Sequence, residues 1–147
     1  VKVYDAFLFS GEFDLLYLRV SELDPIVDYF VVVEATRTFQ GHPRDVVPLE
    51  KDLRLAPYLH KLRHIVLDDL PRDTTPWVVE FAQRNALKQG VASAAPTDLV
   101  ILSDVDEIPN PRAVQQAASR PSGEILSLDM RFFYYGFNWE HPTRWDR

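Results

Sequence analysis

Short apolar runs alternate along this chain with segments of helical spacing, and that alternation restricts the fold more than any other feature. Residues 1–9, 30–33, 64–67, 99–102 and 125–130 read as strands, with Val3, Phe7 and Phe9 alternating in the first and three consecutive valines in the second. Between them, residues 12–23 carry Phe13, Leu16, Val20 and Leu23 at helical spacing, with Leu15 widening the stripe. A strand–helix–strand rhythm of this kind builds a mostly parallel sheet with helices on both faces, because parallel neighbours need a crossover and the crossover must pack somewhere. The expected fold is therefore α/β in one domain spanning residues 1–147.

Local signals mark the boundaries. Ser10-Gly11 breaks the first strand, and Asp24-Pro25 ends or kinks the first helix. Residues 38–48 read as a loop punctuated by Gly41 and Pro43, and residues 49–58 as a short helix. Thr75-Pro76 predicts an N-cap with proline at the first helical position. Trp77, Phe81 and Asn85 space one face of the helix that follows, with Val78 and Ala82 beside them, and Gly90 is its expected C-cap. Asn110-Pro111 repeats the cap-plus-proline signal for a helix through about residue 118. Pro121-Ser122-Gly123 reads as a turn, and residues 132–139 as an aromatic strand or loop.

Composition closes off several classes of function. With 147 residues and 46% apolar content the chain can bury a proper core. Its formal net charge of -6 and the lack of any basic run argue against a nucleic-acid partner, which requires clustered Lys and Arg. There is no cysteine, so disulfides, zinc–thiolate sites and cysteine nucleophiles are excluded. No apolar stretch approaches the length of a membrane span, and no signal peptide is visible. A cytoplasmic location is the expectation from those missing signals, and a Golgi lumenal one if an N-terminal anchor precedes Val1. The chain opens on Val1 and stops at Trp145-Asp146-Arg147 after an aromatic segment, so part of a longer polypeptide is expected.

The chemistry concentrates at Leu99-Val100-Ile101-Leu102-Ser103-Asp104-Val105-Asp106-Glu107, where a buried strand runs straight into three carboxylates. In a parallel sheet this turn joins Ser10-Gly11-Glu12, Glu34-Ala35-Thr36-Arg37 and Asp68-Asp69 at the carboxyl edge, where open α/β folds bind their ligands. Asp104 and Asp106, two apart, suit a hard cation that shares its oxygen ligands with a substrate diphosphate. The same spacing is also what a solvated acidic turn looks like. The chain has neither G-x-x-x-x-G-K-[ST] nor G-x-G-x-x-G, so a diphosphate here needs metal and arginine rather than a glycine-rich nest. Glu34 reads either as a ribose contact or as a loop cap. Arg84 reads either as a site residue or as the partner of Glu80 in an exposed i,i+4 pair. The four histidines lack metal-ligand spacing, and Ser103 has no nucleophile-elbow context. The aromatics of 132–139 serve as core or as a surface for sugar rings.

Three stretches together resemble glycosyltransferase family 17. They are Gly11-Glu12-Phe13-Asp14-Leu15-Leu16, with Glu22-Leu23 and Phe30-Val31-Val32-Val33-Glu34 behind it; Asp104-Val105-Asp106-Glu107-Ile108-Pro109; and Tyr135-Gly136-Phe137-Asn138-Trp139. The resemblance implies a GT-A type, Rossmann-like fold that holds a sugar nucleotide through a divalent cation, manganese or magnesium. It implies UDP-GlcNAc as donor and an inverting transfer to a sugar hydroxyl of a glycan or glycolipid acceptor. Asp104 and Asp106 match the D-x-D motif. Asp106 is thereby expected as direct metal ligand, and Asp104 as a contact to metal or ribose. Glu34 and Arg84 fall on matching positions and are expected to line the nucleotide site. The resemblance leaves the general base unassigned: Asp129 and Glu140 follow late strands, but neither falls on a carboxylate in the family member compared. Family domains run beyond residue 147, so the acceptor part is expected to lie outside this chain. A noncatalytic or truncated nucleotide-sugar-binding module is the alternative, and a metal-dependent hydrolase or phosphotransferase is a weaker third reading.

Overall fold

The computed structural model describes residues 1–71, 74–120, 123–136 and 138–146. Its centre is a four-stranded sheet of β1 (Val3–Phe9), β2 (Tyr29–Ala35), β3 (Leu62–Leu67) and β4 (Leu99–Leu102), ordered β3-β2-β1-β4. Every pairing is parallel, and β1 sits between β2 and β4 with Phe9 opposite Glu34 and Ala6 opposite Leu102. All four strands therefore end on one edge.

The alternation of side chains along β1 and β2 sorts the core into two layers. Val3, Phe7, Phe9, Phe30 and Val32 pack with Leu16, Val20 and Leu23 of α1 (Phe13–Leu23). Tyr4, Ala6, Val31 and Val33 pack instead with Ala86 and Leu87 of α2 (Pro76–Gly90). A fully buried Leu or Val side chain contributes about 1.5–3 kcal/mol, so each layer is held chiefly by a handful of such residues. Val114 of α3 (Pro111–Ala118) joins the α1 layer. The cap expected at its start forms, Asn110 accepting from the Arg112 amide at 2.9 Å.

Helix α2 turns a different face to the sheet from the one its largest apolar residues suggest. Trp77, Val78, Phe81 and Asn85 are exposed, whereas Val79, Gln83, Ala86, Leu87 and Gly90 are buried. The cause is interlayer distance. A Cβ on Gly90 would lie 2.1 Å from Val31 Cγ1, so helix and strand approach more closely there than any side chain allows. Gly90 is thus the last residue of the helix rather than its C-cap, which is Val91. The end is closed by Arg63, which donates from Nη1 to the Gly90 carbonyl at 2.6 Å and lays its guanidinium 3.8 Å from the Tyr29 ring centroid. Thr75 has the extended backbone of an N-cap but no capping side-chain bond.

One further expectation is refined and another is corrected. Residues 49–58 form two 3-10 turns, Leu49–Lys51 and Leu53–Tyr58, the second with Pro57 inside it, where a proline denies a longer ladder its donor. The late strand is not part of the parallel sheet. Only Asp129–Met130 (β5) pairs, antiparallel to Trp145–Asp146 (β6), and Ile125 is fully exposed. Residues 132–139 contribute an isolated bridge, Phe133 to Glu140, rather than a strand, and Phe137 lies outside the described residues, as do Pro121 and Ser122 of the expected turn.

Asp98 ties the amino ends of β1 and β4 together. It accepts from the Lys2 and Ala95 amides, both at 2.8 Å, and these bonds lower its pKa. A depressed carboxylate contributes its stability fully above the unfolded value near 3.8 and loses it as pH falls through the lower folded value. Urea midpoints measured from pH 6 to pH 2 should show a steeper acid loss in wild type than in Asp98→Asn. Parallel curves would deny Asp98 this role.

Candidate functional site

At the carboxyl edge the four strand ends present three distinct arrangements. The β1 end turns through Gly11 at φ +96°, a conformation that favours glycine, and the Glu12 carboxylate accepts from the Ser10 amide at 2.7 Å. Arg44 approaches this turn, its Nη2 lying 3.4 Å from where a Cβ on Gly11 would be.

Beside it, Glu34 at the end of β2 is wholly buried and uses both oxygens. Oε1 accepts from Arg44 Nη2 at 2.8 Å, and Oε2 contacts His64 Nε2 at 2.9 Å. Arg44 also donates to the Ala35 carbonyl at 2.9 Å. Glu34 is therefore engaged within the protein, and the arginine it holds is the group nearer the turn.

The third arrangement is the acidic turn after β4. The Glu107 amide donates to the Asp104 carbonyl at 3.0 Å, and the Glu107 carboxylate accepts from the Asp104 amide at 2.9 Å, so the turn closes on itself. Val105 is buried in the α1 layer and anchors it. The Asp104 carboxylate accepts from Arg84 Nη2 at 2.9 Å, while Arg84 Nε donates to Glu80 at 2.9 Å. Arg84 thus makes the i,i+4 pair and also reaches across to Asp104. Burial works against its charge, but the bonds to Glu80 and Asp104 prevail and raise its pKa. Asp106 is exposed and has no hydrogen bond or ion pair among the described residues.

Beneath the turn lies Arg19, completely buried on α1. Its Nε and Nη2 donate to Asp5 Oδ2 and Oδ1 at 2.8 and 2.7 Å, the two-pronged geometry that guanidinium and carboxylate favour. Nη2 also donates to Ser103 Oγ at 2.7 Å, and Nη1 to the carbonyls of Asp104, Glu107 and Val105 at 2.7, 3.1 and 3.3 Å.

The turn opens into a cleft of about 820 Å³ whose lining includes Asp104, Asp106 and Glu107 together with Met130, Arg131 and Phe132. Among the described residues no three His, Asp or Glu side chains form a metal cage. The donor set still fits a hard cation of the magnesium or manganese type. Such ions are commonly held by one or two carboxylates, with water and substrate phosphates completing the shell. An exposed Asp106 free of protein partners among the described residues, two positions from Asp104 in one cleft, offers that.

The structure therefore joins Asp104, Arg84 and Asp106 in one region and sets Glu34 apart, with β1 between the two strands, a separation of about 10 Å at the usual strand spacing. The family model for glycosyltransferase family 17 matches residues 1–147. This chain belongs to glycosyltransferase family 17. Among family 17 relatives, the β-1,4-mannosyl-glycoprotein 4-β-N-acetylglucosaminyltransferases of rat and human are each 34% identical to it over 153 residues, and that of mouse is 33% identical. The alignments cover 96% of this chain but 28% of each relative, so the chain spans little more than a quarter of their length. No solved structure matches it. No helix among the described residues is long and apolar enough to cross a membrane.

Sequence reasoning passed over Asp5, Arg19 and Arg44, and weighed His64 only as a metal ligand. A signal existed for the first two. Asp5 interrupts Val3, Phe7 and Phe9 on the core-facing side of β1, and Arg19 falls on the buried stripe of Leu16, Val20 and Leu23. Opposite charges at two core-facing positions imply a pair, since an unpaired buried charge is too costly to keep. Arg44 and His64 carried no such mark.

Proposed function

We propose that residues 1–147 form the nucleotide-sugar-binding domain of a metal-dependent inverting glycosyltransferase that moves N-acetylglucosamine from UDP-GlcNAc to a sugar hydroxyl of a glycan. The observation that carries this reading is the acidic turn: an exposed Asp106, unpartnered among the described residues, beside an Asp104 fixed by Arg84, at the carboxyl edge of a parallel sheet and opening into a cleft. Family membership and the N-acetylglucosaminyltransferase names of the relatives support the donor and the transferred group.

Asp106, with Asp104 behind it, would hold the divalent cation. Bound there, that cation supplies Lewis-acid stabilisation of the negative charge that grows on the departing UDP. The protein's own groups do the rest. Arg84 fixes the Asp104 carboxylate and adds positive charge to a turn that bears three carboxylates. Arg44, held by Glu34, sets a second cation at the same sheet edge. Preorganised charges of this kind act without reorganisation during the reaction. Of the late carboxylates, Asp129 is paired with Arg144 at 2.9 Å, and the hydrogen bond from Arg131 lowers the pKa of Glu140, which weakens it as a base.

Isothermal titration of the intact protein with UDP-GlcNAc, in manganese and in excess chelator, tests the reading. Binding is expected only with the metal, and transfer to a glycan acceptor should show the same dependence. Nucleotide binding without turnover on any acceptor would favour the noncatalytic module. Phosphate release without an acceptor would favour a hydrolase. In the same assay, Arg84→Met should weaken metal-dependent UDP binding about tenfold or more, because charge-assisted hydrogen bonds contribute about 1.5–3 kcal/mol. Unchanged affinity would remove Arg84 from the nucleotide site and leave its bonds to Glu80 and Asp104 a purely structural role.

A further inference from the structure

We infer that the buried Arg19–Asp5 pair is the positioning element of the acidic turn, and that it sets how tightly the turn holds a cation–diphosphate group. The inference rests on the donor-site reading above and goes beyond it in naming what shapes the site.

The turn's carbonyls, not its carboxylates, converge on the guanidinium. Asp104 and Glu107 offer their carbonyl oxygens to Nη1 at 2.7 and 3.1 Å, with Val105 at 3.3 Å. A turn whose carbonyls point inward leaves its acidic side chains for the other side, and Asp104, Asp106 and Glu107 all line the cleft. Ser103 Oγ, at 2.7 Å from Nη2, fixes the residue that enters the turn. Asp5 grips the other edge of the guanidinium at 2.8 and 2.7 Å, which sets the plane of the fork and neutralises its charge in a fully buried place.

Stability alone is a weak reason for such a pair, since well-packed apolar residues of similar volume do as well as or better than a buried ion pair. A planar fork that binds Ser103, Asp104, Val105 and Glu107 while anchored on Asp5 is instead suited to holding a loop in one geometry. It also couples the two ends of the site. Arg19 sits on α1, which follows the Gly11 turn, and its bonds cross to the turn after β4, so both strand ends are held in one register. A cation site needs ligands held to a fraction of an ångström by such supporting groups.

The test uses the intact protein carrying Arg19→Met together with Asp5→Leu, which removes both charges at once, and Arg19→Lys alone. Three quantities are read: the unfolding midpoint, UDP affinity in manganese, and hydrogen exchange at the Asp104 and Glu107 amides. The paired variant is expected to stay folded with a near-native midpoint, to bind UDP at least tenfold more weakly, and to exchange those two amides at least tenfold faster while β2 amides stay protected. Arg19→Lys, which keeps a charge opposite Asp5 but loses the planar fork, should fall between. A folded paired variant with native affinity and native exchange overturns the inference. Should the paired variant fail to fold, native UDP affinity in Arg19→Lys overturns it instead. Wild type that binds no UDP in manganese would overturn the donor reading separately, and the exchange rates would then decide the positioning role by themselves.

Discussion

Asp106→Asn is expected to abolish metal-dependent nucleotide binding while leaving the fold intact. The Asp106 side chain is exposed and unpartnered among the described residues, and changes at such positions stay within about 0.5 kcal/mol of wild-type stability. The same exposure makes it the free carboxylate of the turn. With UDP-GlcNAc at about one hundred times its dissociation constant in manganese, wild type should gain roughly 2.7 kcal/mol. For a domain of this size that is a rise in unfolding midpoint on the order of 5–10 °C. The substituted side chain offers a neutral amide in place of a charged oxygen ligand, so the variant's midpoint should stay flat, as should that of wild type in excess chelator. A variant that still gains the full shift with nucleotide and manganese would remove Asp106 from the metal site.

Gly90→Ala is expected to be among the most damaging small changes to the fold. The added Cβ would meet Val31 at 2.1 Å to Cγ1, 2.8 Å to Cγ2 and 3.0 Å to Cβ. Val31 lies fully buried in β2, a central strand, and has nowhere to move. Replacing glycine with alanine inside a helix gains up to about 1 kcal/mol in propensity, but forced overpacking costs typically about 1–3 kcal/mol and more when the overlap is severe. The overlap here is severe, so a net loss of at least about 2 kcal/mol is expected in chemical denaturation. Val31→Ala removes the two methyls that clash. The double variant should then be more stable than the sum of the single changes by about 1 kcal/mol or more, the mark of direct contact. A Gly90→Ala protein within about 0.5 kcal/mol of wild type, the spread of surface changes that disturb nothing, would show that the helix can lift off the sheet freely.

Much of this architecture is visible in local sequence. The four parallel strands, α1, α3 with its Asn110 cap and the acidic turn all announce themselves through nearest-neighbour patterns, because apolar periodicity, capping and turn chemistry act over a few residues. The buried face of α2 does not. Periodicity picks out Trp77 and Phe81 as the largest apolar residues, but the sheet accepts the small ones, Ala86 and Gly90, because the layers meet too closely for rings. The segment 125–130 looks like a strand for the same local reason, yet a strand exists only where another backbone pairs with it, and only Asp129–Met130 finds one.

The candidate site divides along the same line. Asp104 and Asp106 are legible because both lie in one turn, and Arg84 is visible as a partner of Glu80 four residues away. That Arg84 also reaches Asp104, that Glu34 spends its oxygens on Arg44 and His64, and that Arg19 gathers the turn from below are contacts between residues 10 to 88 positions apart. Element types, the edge at which strand ends collect and the acidic turn are written in the order of residues, since each follows from short-range sterics and hydrophobic patterning. Which charges meet is a matter of packing in three dimensions. An ion pair forms where packing brings two side chains within about 3 Å and shields them from water, and no spacing along the chain encodes that distance.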